Sequence, residues 1–242
     1  MIDVVVSCEH AAWAVPATCD LGVPDDVLQS QAGWDPGALD IARLLAAQLG
    51  APLLAGSYSR MFVDLNRAAD HADVVPRHSY GADVPGNVGL DSSAIVARLA
   101  AHHTPYWTAV TNAVDASLQK GRACVHLSSH SFCPQLDPVQ RDFDLGVLFD
   151  PAYEFEADIA QRLLAELAAM GLSVRPNAPY TGSGPALVTS LRATRGGTRY
   201  AGIEIETSHA LVRQRNGCAR VANALTTATQ RVIAGIHDNP RR

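Results

Sequence analysis

Histidines and carboxylates gather at three places in this 242-residue chain, each beside an apolar run of the kind that forms a buried strand. Cys8-Glu9-His10 follows Val4-Val5-Val6, Ser129-His130-Ser131 follows Cys124 to Leu127, and Glu204 and Glu206 lie in and just past the run Ala201 to Ile205. In open α/β sheets ligands bind beyond the carboxyl ends of the strands, so residues distant in sequence can meet there. Two histidines and several carboxylates converging at such an edge suit a divalent metal, zinc above all, with one carboxylate left over as a base.

Each candidate has a plainer reading beside the chemical one. His10 at a strand end can be a structural histidine. His130 has serine hydroxyls on both sides, which are ready partners to fix its tautomer. Asp35 precedes a helical stretch and reads as its N-cap, yet a carboxylate at that place can also turn towards the sheet edge as a ligand. Glu9 competes with it as third ligand: a strand continuing past Cys8 points Glu9 away from His10, and a bend there reverses this. Glu204 sits within an apolar strand, where an ionised side chain is expensive without a cation or hydrogen-bond donor, and it suits the role of base. Glu206 alternates onto the same face and competes for that role. Arg60, Asn66 and Arg67 offer two guanidiniums and an amide, a group able to grip a carboxylate bidentately; the alternative is that Asp64 pairs with one of the arginines as a structural bridge. Cys8 beside His10 lacks an identifiable Asn or Asp partner for a cysteine nucleophile.

The elements that must position these residues alternate strand and helix. Val4 to Cys8 reads as a strand covered on both faces. Asp35-Pro36 opens a helix with Leu39, Ala42, Leu45, Ala46 and Leu49 on one side and Gly50 at its end. Strands are expected at Pro52 to Ala55, Cys124 to Leu127, Phe143 to Phe149, Leu172 to Arg175 and Ala201 to Ile205. Helices are expected over Asp91 to Gln119, Tyr153 to Met170 and Val212 to Ile236. Ala68 to Gly89, rich in Asp, His, Pro and Gly, reads as a long loop and a candidate lid, and Pro134 to Arg141 as a second polar loop. The pattern predicts an α/β fold with a mostly parallel sheet and helices on both faces.

With 48% hydrophobic and 18% charged residues, the chain has enough apolar content for one large core, and a single domain over residues 1–242 is expected. A net charge of −5 with scattered Lys and Arg speaks against nucleic acid and anionic membranes as partners and for a small molecule. The five cysteines form no CxxC pair, so they read as free thiols rather than as a disulfide framework or a zinc knuckle. Without a long apolar span or a leader-like start, a cytoplasmic location is the expectation.

Assembled in order, these pieces resemble the N-formylglutamate amidohydrolase family, in particular a branch opening with Cys-Glu-His-Ala. The matching segments are Ser7-Cys8-Glu9-His10-Ala11 with Val15-Pro16, Gly33-Trp34-Asp35-Pro36-Gly37-Ala38, Ser59-Arg60 with Asp64-Leu65-Asn66-Arg67, His130-Ser131-Phe132-Cys133-Pro134, Asp144-Leu145-Gly146, Asn177 to Gly182, and Gly202-Ile203-Glu204-Ile205. The resemblance implies a three-layer α/β/α fold akin to the zinc carboxypeptidases and aspartoacylases. It also implies His10, Asp35 and His130 as metal ligands, Glu204 as base, Arg60, Asn66 and Arg67 for the substrate, and Arg67 for the oxyanion. The activity implied is hydrolysis of a short N-acyl amino acid such as N-formylglutamate. Two other readings are a peptide or peptidoglycan amidase, with Ala68 to Gly89 flanking an open groove, and a non-catalytic module that binds a small acid.

Overall fold

Continuous apolar runs need cover on both faces, and here they become neighbouring strands of one central sheet. A computed structural model describes residues 1–136, 138–196 and 199–237. In chain order the strands are β1 (Ile2–Cys8), β2 (Leu53–Ala55), β3 (His78–Ser79), β4 (Ala82–Asp83), β5 (Ala123–Phe132), β6 (Gln135–Leu136), β7 (Val139–Gln140), β8 (Leu145–Leu148), β9 (Val174–Pro176) and β10 (Tyr200–Ser208). The helices are α1 (Asp25–Leu28), α2 (Ala38–Leu49), α3 (Ser92–Arg98), α4 (Thr104–Gln119), α5 (Glu154–Ala169), α6 (Leu187–Arg195), α7 (His209–Val212) and α8 (Gly217–His237).

The central sheet has six strands in the order β2-β1-β5-β10-β8-β9. β2, β1, β5 and β10 run parallel, β8 lies antiparallel to β10, and β9 is parallel to β8. One face packs on α2, α5 and α8, where Ile41, Leu45, Ile159, Leu163 and Leu225 meet Leu127 and Ile203. The other carries Val110 and Val114 of α4 and Leu187 and Leu191 of α6 against Val5, Cys124 and Tyr200. This is a mixed, mostly parallel sheet between two helical layers, as the alternating pattern predicted. A third cluster around Met61, Phe62, Leu65, Val74 and Val84 anchors the loops beside the strand ends.

Side chains alternate between the faces of a strand, so the parity of the apolar residues fixes where the polar ones point. Cys124 and Tyr200 face α4 and α6, and by alternation His126, Ser128 and His130 of β5 share their face with Gly202, Glu204 and Glu206 of β10. In the parallel register Glu204 stands opposite Ser128, and Glu206 opposite His130. Every residue of β10 is buried.

Several boundaries differ from expectation, each for a local reason. β5 does not end at Leu127 but runs to Phe132, so His130 lies inside a strand. Its polar half is tolerated because Ser129 and Ser131 donate to the carbonyls of Ala38 and Pro36, and Ser128 to Glu9. α2 starts at Ala38 rather than at Asp35. A residue before proline is steered away from helical geometry, and the Asp35 amide donates to the His10 carbonyl at 3.0 Å. Gly37 then takes a left-handed φ of 78°, and a Cβ there would strike Val212. The segment 68–89 folds back into the hairpin β3–β4. The long helix expected over Asp91 to Gln119 carries a π turn at Leu99–His103 just before Pro105, whose missing N–H breaks the regular ladder. The last helix starts at Gly217 rather than at Val212, and a separate short helix, α7, precedes it.

α6 has no counterpart in the sequence reading. Its nine residues, LVTSLRATR, are too few for a helix to stand alone in water and include the weak formers Val188, Thr189, Ser190 and Thr194, so tertiary contacts hold it. Arg192, 1% exposed, forks onto Glu156 of α5, with Nε donating to Oε2 at 2.9 Å and Nη2 lying 2.8 Å from Oε1. Both side chains also serve Gly202 of β10: its amide donates to Glu156 Oε2, and Arg192 Nη2 donates to its carbonyl. β8 pairs with β10 from Glu204 to Thr207, so the ion pair takes over where that strand stops. Replacing one partner strands the other as an uncompensated buried charge. Glu156→Leu is therefore expected to cost about 3–5 kcal/mol of stability, read as a fall in the denaturant midpoint; a change below about 1 kcal/mol would contradict this role.

Candidate functional site

β1 ends at Cys8, and the chain turns so that Glu9 and His10 both reach the polar end of β5. His10 and His130 meet edge to face, with ring centroids 5.0 Å apart. Each presents Nδ1 to the same oxygen of Asp35: Oδ2 lies 3.4 Å from His10 and 2.8 Å from His130. Each is held from behind at Nε2. His10 Nε2 lies 2.7 Å from Asp64 Oδ1, and His130 Nε2 lies 3.0 Å from Ser128 Oγ and 3.2 Å from Glu9 Oε2. Glu9 is fixed in turn by Ser128 and by the Tyr106 hydroxyl. The other oxygen of Asp35, Oδ1, accepts from Arg60 Nη2.

His10, Asp35 and His130 can each offer one ligand atom, all within 4.8 Å of one another, and so could hold a metal ion. Histidine and carboxylate donors are those a catalytic divalent ion uses, and a carboxylate behind each imidazole is the usual way to orient such a ring and raise its basicity. The alternative third ligand, Glu9, lies on the Nε2 side of His130, away from the shared Asp35 oxygen. Burial and the Arg60 guanidinium push His10 down to about 4. Burial acts the same way on His130, but its hydrogen bond to Glu9 and the charges of Glu204, Glu9 and Glu206 hold it up at about 9.

These residues line a cavity of about 360 Å³, shared with Asn66, Arg67, Leu148, Glu204 and Glu206. Asn66 Nδ2 donates to Glu204 Oε1 at 2.9 Å, and that oxygen lies 3.5 Å from His130 Nε2. Asn66 Oδ1 accepts from the Leu187 amide at the first residue of α6. Arg67 Nη1 donates to the carbonyls of Pro185 and Asn66. Arg60 reaches the wall but spends Nη2 on Asp35 and packs over the Tyr80 ring. Glu206, 6% exposed, has an Oε2 with no hydrogen-bond partner among the described residues, and burial pushes its carboxyl up to about 7.

Two loops meet in the wall of the cavity. Tyr80, between β3 and β4, and Tyr180 touch through their hydroxyls at 2.9 Å. The loop carrying Tyr180 lies directly on β8 at Gly146, where a Cβ would strike the Ala178 carbonyl. The structure thus brings His10, Asp35, Arg60, Asn66, Arg67, His130 and Glu204 together in the wall of one cavity, with Glu206, the competing carboxylate, beside them. Sequence reasoning missed the partners that orient them. Asp64 serves His10 and not an arginine bridge; an acidic residue two positions before the Asn66-Arg67 pair was the available signal. The hydroxyl that meets the His130 ring is that of Ser128, while the adjacent Ser129 and Ser131 donate to backbone carbonyls; Tyr106 and Tyr80 carried no signal.

A family model described as N-formylglutamate amidohydrolase matches residues 2–213. Among solved structures, a gene product of Agrobacterium tumefaciens is 31% identical, with a TM-score of 0.86 over 97% of this chain and 92% of that one. The N-formylglutamate amidohydrolase of Ralstonia eutropha is 21% identical, with a TM-score of 0.72 over 97% and 94%. No curated protein matches the chain in sequence.

Asn66 bridges Glu204 and the start of α6, so its loss orphans a buried amide as well as freeing the glutamate. Asn66→Ala is expected to destabilise the fold by about 1–3 kcal/mol and to lower hydrogen-exchange protection at the Leu187 amide. Unchanged protection there would refute this bridging role.

Proposed function

This chain belongs to the N-formylglutamate amidohydrolase family and is an amidohydrolase, and from that premise we propose that it removes a short acyl group, formyl first, from the nitrogen of an amino acid with the help of a divalent metal, zinc first. The observation that carries the reading is the pair of imidazoles turning Nδ1 towards one Asp35 oxygen while Asp64 and Glu9 hold their Nε2 atoms. His10, Asp35 and His130 would hold the ion. Such an ion, when bound, lowers the pKa of water and polarises a carbonyl.

The remaining work falls to the chain's own side chains. Glu204, held by Asn66, takes a proton from the attacking water and returns it to the departing amine nitrogen as the C–N bond breaks. The hydroxyl goes to the acyl carbon, so the products are a short carboxylic acid and a free amino group. Arg67 and Asn66 bind the carboxylate of the amino acid, and the Arg67 charge steadies the carbonyl oxygen as it becomes negative. Arg60, committed to Asp35, sets the orientation of that carboxylate and contributes its remaining donors to the substrate wall. The contact of Tyr80 with Tyr180 in the wall of a cavity of about 360 Å³ favours a small substrate over a polymer lying in an open groove.

N-formylglutamate, the compound the family is described by, is the first to test. Metal content by elemental analysis should be stoichiometric, and hydrolysis should track it when zinc is removed and restored. Glu204→Gln should lower kcat about 10²- to 10⁴-fold with metal and ligand binding retained. Asp64→Asn should weaken metal affinity about 10- to 100-fold, measured by competition with a chelator. Full activity in Glu204→Gln would remove that residue from the mechanism, and protein that takes up no metal under any loading condition would sink the metal-dependent reading.

A further inference from the structure

Glu206 lines the same cavity as Glu204 and the His10, Asp35 and His130 cluster. Its side chain makes no hydrogen bond or ion pair among the described residues, and its Oε2 is buried without a partner. Three groups that can carry positive charge are close enough to influence it, His130 first and then Arg60 and Arg141, and none of them hydrogen-bonds to it. His130 is spent on Asp35, Ser128 and Glu9. Arg60 donates Nη2 to Asp35 and packs over Tyr80. Arg141 directs Nη1 at the Cys133 carbonyl and the Tyr180 hydroxyl and packs over the Tyr180 ring. On one side along the sheet Glu206 stands opposite His130, whose ring nitrogens go to other partners, and on the other it faces Gly146, which has no side chain to offer. A carboxylate buried in this state is costly. A ligand that brings N–H donors relieves the cost, and one that brings a second carboxylate adds like-charge repulsion.

We propose that Glu206 is a specificity-determining residue, receiving a cationic nitrogen group, ammonium or guanidinium, at the side-chain end of the N-acyl amino acid and turning away a carboxylate there. The inference rests on the reading of the pocket as an N-acyl amino acid site. Glu204 and Glu206 then divide the labour of two carboxylates on one sheet face. Glu204, bonded to Asn66 beside His130, handles the proton, and Glu206, one step further along β10, reads the side chain.

The test uses the metal-loaded Glu204→Gln protein, in which binding is separated from turnover, with N-formyl-lysine, N-formylglutamine and N-formylglutamate titrated by calorimetry. These share the formyl group and α-carboxylate and differ at the side-chain end. N-formyl-lysine is expected to bind at least about 100-fold more tightly than N-formylglutamate, with the amide between them. In Glu204→Gln/Glu206→Gln that ratio should fall to within about tenfold. Tighter binding of the glutamate compound, an unchanged ratio in the double variant, or no binding of any of the three overturns the proposal. In protein with Glu204 intact, kcat/KM should show the same order. A binding preference without any turnover would uphold Glu206 and refute acyl hydrolysis, whereas turnover with no side-chain preference would do the reverse. Glu206→Gln that stops turnover of all three compounds while keeping metal and fold would make Glu206 part of the chemistry, and overturn its role in selection.

Discussion

The parallel register between β5 and β10 sets Ser128 beside Glu204 and His130 beside Glu206, and the site is arranged around that row of four polar side chains. In the lower half of the sheet the same face is a helix-packing surface, with Cys124 and Tyr200 against α4 and α6. Between the two halves lies another polar row, Ser7, His126 and Tyr200, linked by hydrogen bonds of 2.8 and 3.0 Å. The face passes from apolar core to polar site without a break in the strands, because each polar step finds a partner on the neighbouring strand. A slip of one residue would turn Glu204 and His130 into the α2, α5 and α8 core and bring Ile203 or Ile205 to the pocket.

Much of this was legible in the sequence because alternation and strand ends are local signals. His10, His130 and Glu204 stood out as polar residues attached to apolar strands, and their neighbours in sequence agreed with the fold class. What escaped was long-range. Asp35 was open to two readings, N-cap and ligand, because an Asp-Pro pair before a helical stretch has the first meaning locally; its amide is taken by the His10 carbonyl and its carboxylate by the side chains of His10, His130 and Arg60. β5 read as ending at Leu127 because serines and a histidine look like a loop until their partners, distant in the chain, are known. α6 was invisible for the same reason: its hold comes from Glu156, Gly202 and Asn66 rather than from its own sequence.

These contacts tie the pocket to distant parts of the core. Asn66 touches Glu204 with one end of its amide and α6 with the other, and α6 is clamped through Arg192 to α5 and β10. The strand that carries Glu204 is thereby fastened two residues earlier, at Gly202. A site of charged groups on a sheet edge would rearrange easily if only its own members held it; here the second ring of contacts is as buried as the first. Rigid placement of this kind suits chemistry in which a small error in distance is costly.

The contact of Gly146 with the Ala178 carbonyl has a bearing on how this pocket can change over time. Because no side chain fits between β8 and that loop, the wall carrying Tyr180 rests directly on the sheet and cannot be moved back by enlarging residue 146 without dislodging it. The short hairpin around Tyr80 is half exposed; it meets that wall through the Tyr80 and Tyr180 hydroxyls and is held besides by Ser79 on the Ala32 carbonyl and by Arg60 against the Tyr80 ring. A change in pocket size is therefore cheaper on one side than on the other: a larger pocket is reached by remodelling the hairpin, through its length and the residue at its tip, while the glycine stays.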